Sequence, residues 1–244
     1  MQYDQPLISG TLIKRYKRFL ADVRLEDGSE ITVHCPNTGS MKNCAEPGWP
    51  VWLWDSQNPK RKYQHSWEWV AVQGKFKACI NTTRANQLVA EALENKVISE
   101  LSDYSKTQGE PKVEDGRLDF LLHADESDTP ESKAYVEVKS VTLLNDLQGE
   151  NSEPGLGSFP DAVTDRGLKH LKRLLALHQQ GYRAVLLFCV AHEGIERVRP
   201  ADEIDPKYGA ALRDVVAQGV EVLAYRVDFG DDNMALTRRI PVEL

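Results

Sequence analysis

The chain has 244 residues, with 30 Lys+Arg against 37 Asp+Glu, for a formal net charge of −7. This length suits one large domain or two smaller ones, and 41% hydrophobic with 27% charged residues excludes a mostly disordered chain. The longest apolar run, Ala184 to Ala191, is far short of the ~18–20 residues of a membrane span, so no membrane partner is expected.

The opening residues, Met1-Gln-Tyr-Asp-Gln-Pro6, are polar and acidic and do not read as a signal peptide. Short alternating segments follow: Leu7–Lys14, then Phe19–Leu25. Asp27-Gly28 marks a hairpin turn, and Ile31 and Val33 resume the alternation. Val51–Trp54 and Ser66–Val72 alternate in the same way, separated by turn formers at 36–40, 47–48 and 58–59. About five strands in eighty residues predict a small closed barrel of the OB type.

Two basic clusters interleave charge with rings: Lys14-Arg15-Tyr16-Lys17-Arg18-Phe19 and Lys60-Arg61-Lys62-Tyr63. Phosphates attract Lys and Arg, and unpaired bases stack on aromatic faces. The other reading is a solvated hairpin turn with its rings in the core. The loop Asn37-Thr38-Gly-Ser-Met-Lys42 offers small polar groups and backbone amides suited to phosphate, or to a plain connection between strands.

Residues 1–80 carry 11 basic and 8 acidic residues, the remainder 19 and 29, and all five tryptophans fall between Trp49 and Trp69. This shift divides the chain into residues 1–80, the expected OB-type barrel for which nucleic-acid binding is the functional expectation, and residues 81–244. Cys35, Cys44, Cys79 and Cys189 have neither disulfide-framework nor zinc spacing. A cytoplasmic protein with reduced thiols is expected.

The second part predicts a helix over 84–101, a polar loop over 109–116, strands at 117–122 and 134–141, and an irregular, mobile connection over 147–160. A helix over 161–180 follows, then a buried strand over 183–191, a helix over 206–218 ended by Gly219, and a last strand over 220–227. The β-branched, alternating 220–227 segment argues against a helix-turn-helix there. The order predicts an α/β sheet covered by helices.

Residues two apart on a strand share a face, so Glu137 and Lys139 stand side by side with Val138 turned into the core. Asp119 on the neighbouring strand can come level with them. Two carboxylates form an oxygen-lined site for Mg²⁺ or Mn²⁺, and a lysine beside them can orient an attacking water whose pKa the metal lowers. The alternative is a cross-strand surface ion pair. Glu91 and Glu94 on the first helix could add a carboxylate. Arg166, Lys169, His170 and Arg173 recur on one face of the later helix, opposite Leu168, Leu171 and Leu175, where a scissile phosphate would lie. Thr164 at its start could offer amides and a hydroxyl. His123 and His192 have no partner at ligand spacing and read as core or surface histidines.

Asp119 and Glu137-x-Lys139 followed by a basic helix resemble the PD-(D/E)xK nuclease superfamily. Gly116–Leu122, Tyr135–Leu143, Phe159–Leu171, His34–Met41 and Gly219–Tyr225 resemble the sugar fermentation stimulation protein A family. That resemblance implies an N-terminal OB-fold joined to a nuclease-like α/β domain, DNA binding with weak sequence preference, and a link to regulation of sugar (maltose) metabolism. By superfamily roles Asp119 and Glu137 hold Mg²⁺ and Lys139 serves the water. The superfamily's proline before the first acid is replaced by Leu118. The expected function is DNA binding, single- or double-stranded. The alternatives are an active Mg²⁺-dependent DNA nuclease and a sugar- or nucleotide-binding regulatory module.

Overall fold

The computed structural model describes residues 1–114, 116–127, 129–145 and 153–244. Six strands come first: β1 (Ile8–Tyr16), β2 (Leu20–Leu25), β3 (Glu30–His34), β4 (Pro50–Asp55), β5 (His65–Val72) and β6 (Phe76–Cys79). They pair in the order β3-β2-β1-β4-β5-β6, and a β3–β5 contact at His34 and Ser66 closes the first five into a barrel. Gly28, at φ +85°, takes the left-handed position of the β2–β3 turn, and Asp27 accepts from the Ser29 amide. Leu12, Val23, Val33, Val51, Leu53 and Trp67 fill the interior.

The β5 alternation breaks at its centre. Trp52 pairs with Trp69 but Leu53 pairs with Trp67, so Glu68 is the extra residue of a bulge. The bulge leaves Trp67 in the barrel core and turns Trp69 outward, into the core of the second part. The short β6, not foreseen in the sequence, bonds onward to the chain leaving the central sheet: the Cys79 amide donates to Ala191 O and Glu193 N to Lys77 O.

The second part contains α1 (Arg84–Glu94), β7 (Lys106–Gly109), β8 (Lys112–Val113), β9 (Gly116–Arg117), β10 (Phe120–His123), β11 (Lys133–Val141), β12 (Leu143–Leu144) and β13 (Leu156–Phe159). It continues with α2 (Asp165–Gln179), β14 (Arg183–Val190), β15 (Arg197–Pro200), α3 (Pro206–Ala217), β16 (Glu221–Phe229) and β17 (Met234–Arg239). The main sheet has the order β17-β16-β14-β11-β10-β7. The apolar β11, β14 and β16 run parallel at its centre, as strands buried on both faces do. Leu88 and Val89 of α1 cover one face with Tyr3 and Trp69; Leu171 and Leu174 of α2 and Leu212 of α3 cover the other.

Several boundaries differ from expectation. α1 stops at Glu94 because Lys96 turns left-handed (φ 56°) and Val97 N and Lys96 N bond back to Ala92 O and Leu93 O. This is a Schellman ending with lysine where glycine is usual. The expected 117–122 strand is two pieces, β9 in a small hairpin with β8 and β10 in the main sheet, with Asp119 between them. β17 follows the strand expected to be last. Of the expected irregular connection, residues 147–152 lie outside the described residues, and Leu156–Phe159 is a strand. No helix among the described residues is long and apolar enough to cross a membrane. All four cysteines are buried and free.

Candidate active site

β11 reads Lys-Ala-Tyr-Val-Glu-Val-Lys-Ser-Val, and its period of two sorts the side chains. Val136 and Val138 pack with the α1 core, while Tyr135 joins the α2 side, the face that Glu137 and Lys139 share with it. Asp119, just ahead of β10, is held by two donors: the Val138 amide to Oδ2 at 2.8 Å and Asn86 Nδ2, from α1, to Oδ1 at 2.7 Å. The β10–β11 register, Phe120 opposite Val136, continues to set Asp119 level with Glu137.

Glu137 is 2% exposed. Lys139 Nζ donates to its Oε1 at 2.5 Å, and His170 Nδ1 contacts the same oxygen. Lys139 Nζ also lies 3.0 Å from His170 Nδ1. With Nδ1–H directed to the carboxylate, His170 Nε2 accepts from Arg166 Nε at 3.5 Å. Burial opposes the charged form of Glu137, but His170 and then Lys139 outweigh it and hold its carboxyl below the usual range. Burial, then the Glu137 charge, pushes the Asp119 carboxyl up, against the Val138 and Asn86 bonds.

His170 corrects the expected helix face. It is 7% exposed and points inward to Glu137 among the leucines, whereas Arg166 and Lys169 remain at the surface. Thr164 caps α2: its Oγ1 accepts from Gly167 N at 2.9 Å, and its own amide donates to Asp205, which caps α3. Tyr208 lies fully buried beneath this turn, its hydroxyl without a hydrogen-bond partner among the described residues and its pKa raised by burial, then by Glu137 and Asp205.

A cavity of about 290 Å³ opens between β11 and the barrel loop, lined by Lys139, Ser140, Asn86, Asn37, Thr38 and Asp161 among others. The structure therefore brings Asn37 and Thr38 opposite Lys139. The loop's amides are mostly committed: Gly39 N donates to Asn37 Oδ1, Met41 N to Asp161 Oδ2 and Lys42 N to Ser40 Oγ. Thr38 stays exposed at the mouth.

The basic clusters divide. Arg15 donates to the carbonyls of Arg18, Asn37, Gly39 and Ser40, and Arg18 to that of Thr38, so these two arginines fasten the loop to the β1–β2 hairpin. Lys14 pairs with Asp22 at 3.5 Å, and Lys17 occupies the hairpin turn. Lys42 lines a different cavity. Lys60, Arg61 and Lys62 are exposed on the β4–β5 connection and do not line the Lys139 cavity. Glu91 is engaged by the Met1 amino group. His192 is a core histidine whose Nδ1 accepts from Gly194 N. Sequence reasoning missed Asn86, although a polar residue between the buried Ala85 and Leu88 of α1 was the available signal.

A family profile described as the sugar fermentation stimulation protein RE domain matches residues 83–233, and one described as the SfsA N-terminal OB domain matches residues 13–80. The chain belongs to the sugar fermentation stimulation protein family. Homologues under that name are 50% identical over 243 residues in Marinomonas sp. (99% of this chain, 90% of the relative) and 50% identical over 244 residues in Saccharophagus degradans (99% and 100%). A solved structure titled as Pyrococcus furiosus SfsA in complex with Ca²⁺ shares the fold, with TM-score 0.85 at 24% identity over 100% of this chain and 98% of that one.

Proposed function

We propose that this family member binds DNA with little sequence preference across the cleft between the barrel loop and β11, and that it hydrolyses phosphodiester bonds there with Mg²⁺ or Mn²⁺. The observation that carries this reading is the burial of Glu137 level with Asp119 and against His170 and Lys139, the last of which lines the cavity. Buried charges persist only when paired or used.

The residues fit a hard cation. Both carboxylates offer oxygen, Glu137 Oε2 takes no hydrogen bond from a described residue, and Asp119 stands level with Glu137 across the β10–β11 register. His170, the histidine beside them, is committed to Glu137, and Mg²⁺ is an ion that needs only one or two carboxylates and keeps several waters. The Ca²⁺ named for the Pyrococcus furiosus relative is a cation of the same oxygen-seeking kind. When bound, such an ion lowers the pKa of a coordinated water and neutralises phosphoryl charge. Lys139 then orients the attacking water or a phosphate oxygen, His170 keeps the Glu137 carboxylate aligned, and Thr38 faces the substrate from the barrel side. Regulation of sugar metabolism, which the family name evokes, is then an output of DNA binding.

A second reading, binding without turnover, is favoured by Lys139 and His170 sharing one Glu137 oxygen, which neutralises that carboxylate without a metal. Titrating single- and double-stranded DNA with Mg²⁺ or with EDTA, and analysing the product for strand breaks, separates the two. Salt-sensitive binding with Mg²⁺-dependent breaks is expected; binding with intact DNA in Mg²⁺ and Mn²⁺ leaves the second reading.

A further inference from the structure

A second cavity, of about 430 Å³, lies between α2 and the β8–β9 hairpin. Its described rim carries Lys112, Lys169, Lys172 and Arg173 against the single carboxylate of Glu114, in a chain whose overall charge is −7. Its wall is aromatic. Tyr135 and Tyr182 meet edge to face with centroids 5.2 Å apart, both half-buried, so each ring keeps part of its surface toward the cavity.

The position ties this cavity to the acidic site. Tyr135 is two residues before Glu137 on the same face of β11, a step of roughly 7 Å along a strand. Lys169 is next to His170 on α2. The tyrosines and the carboxylates thus lie on the same side of β11, one strand step apart. Cations at the rim with rings in the wall match the two halves of a nucleotide, phosphate and base.

We propose that this cavity is a nucleotide subsite, in which one unpaired nucleotide of the bound strand packs its base against Tyr135 and Tyr182 and sets its phosphate among Lys112, Lys169 and Lys172. A paired base has its stacking faces covered by its neighbours, so the subsite makes the protein prefer single strands or frayed ends. The inference rests on the DNA-binding reading and adds a strand preference and a location to it.

The test measures affinity of the full chain for a fluorescent 12-nucleotide single strand and for the duplex of the same sequence, in EDTA, so that neither metal nor turnover enters. Y182L keeps an apolar side chain in the wall and removes the stacking ring. The variant K169Q/K172Q changes only exposed side chains, so it reports even if Y182L folds poorly. Y182L is expected to weaken single-strand binding about 5- to 160-fold, with duplex affinity changed less than twofold. K169Q/K172Q is expected to lower the slope of log K against log salt for the single strand by about 1.4. Wild-type binding left unchanged by both variants, or weakened equally for single strand and duplex, overturns the subsite and leaves DNA binding standing. A mononucleotide competing as strongly as the 12-mer overturns the placement on a continuous strand. Failure of the wild type to bind either DNA overturns both readings.

Discussion

At the scale of single residues, the site was legible where a strand's period of two reports which side chains share a face. Glu137 and Lys139 are the case in point, and the structure joins them by a 2.5 Å bond. Asn86 was not legible, because its contact with Asp119 crosses from helix to strand over 33 positions. Partners behind a ligand typically change metal affinity or activity 10- to 100-fold when removed. Asn86→Ala is expected to weaken Mn²⁺ binding within that range, read by calorimetry, while thermal stability falls only modestly. His192 is a core histidine, and its burial gives a pH signature. Burial lowers its pKa to about 3, against about 6.5 unfolded. A depressed histidine pKa means that the unfolded chain takes up the proton first. The stability it contributes is therefore complete above pH 6.5 and is lost as pH falls toward 3, by at most ~1.4 kcal/mol per pH unit. His192→Asn, which keeps an acceptor for Gly194 N, should flatten that part of a urea-denaturation pH series. An unchanged slope would place the proton uptake elsewhere.

At the scale of elements, strands with clean alternation and a marked turn were readable, and those defined by tertiary pairing were not. β2 and β3 around Asp27-Gly28 belong to the first group. β13 belongs to the second, paired in parallel with β15, Leu156 opposite Arg197, whereas β6 and β17 are short hairpin partners of β5 and β16 without a marked alternation. The overlong reading of α1 has a local cause, since nothing in Asn95-Lys96 announces a left-handed ending. The β5 bulge was hidden for a related reason. Ser-Trp-Glu-Trp alternates on paper, but Glu68 is fully buried and accepts from Tyr3 Oη (2.8 Å), Asn81 Nδ2 (2.8 Å), and Arg84 Nε (2.9 Å) and Nη2 (3.0 Å). A charged residue inside an apolar strand was the one signal of a partner. This network pins barrel, N-terminal segment and α1 together. Removing one member of a buried ion pair costs about 3–5 kcal/mol because the other charge is stranded. Glu68→Leu and Arg84→Met are each expected to lower unfolding free energy on that scale. The double variant should lose less than the sum, giving a coupling energy of roughly 1–3 kcal/mol in a denaturation cycle.

At the scale of the whole molecule, the composition change near residue 80 and the alternating β and α patterns carried the architecture of barrel plus α/β sheet. They did not carry how the two parts meet. That depends on Trp69 reaching the α1 core, on β6 bonding to residues 191–193, and on Ser40 and Met41 meeting Asp161. The meeting has a functional consequence, since it sets the Asn37–Lys42 loop against Lys139 and so forms the cleft. It also explains why the Lys14–Arg18 cluster divides into arginines that fasten this loop and lysines that remain at the surface. The central claim is that Asp119 and Glu137 hold a divalent cation that Lys139 does not help to bind. Mn²⁺ titration calorimetry on the wild type, Glu137→Ala and Lys139→Ala, beside a plasmid-nicking assay, tests it most directly. The account predicts metal binding that Glu137→Ala abolishes and Lys139→Ala preserves or tightens, because Lys139 competes for a Glu137 oxygen, with nicking lost in both variants. Equal Mn²⁺ affinity in the wild type and Glu137→Ala would contradict it.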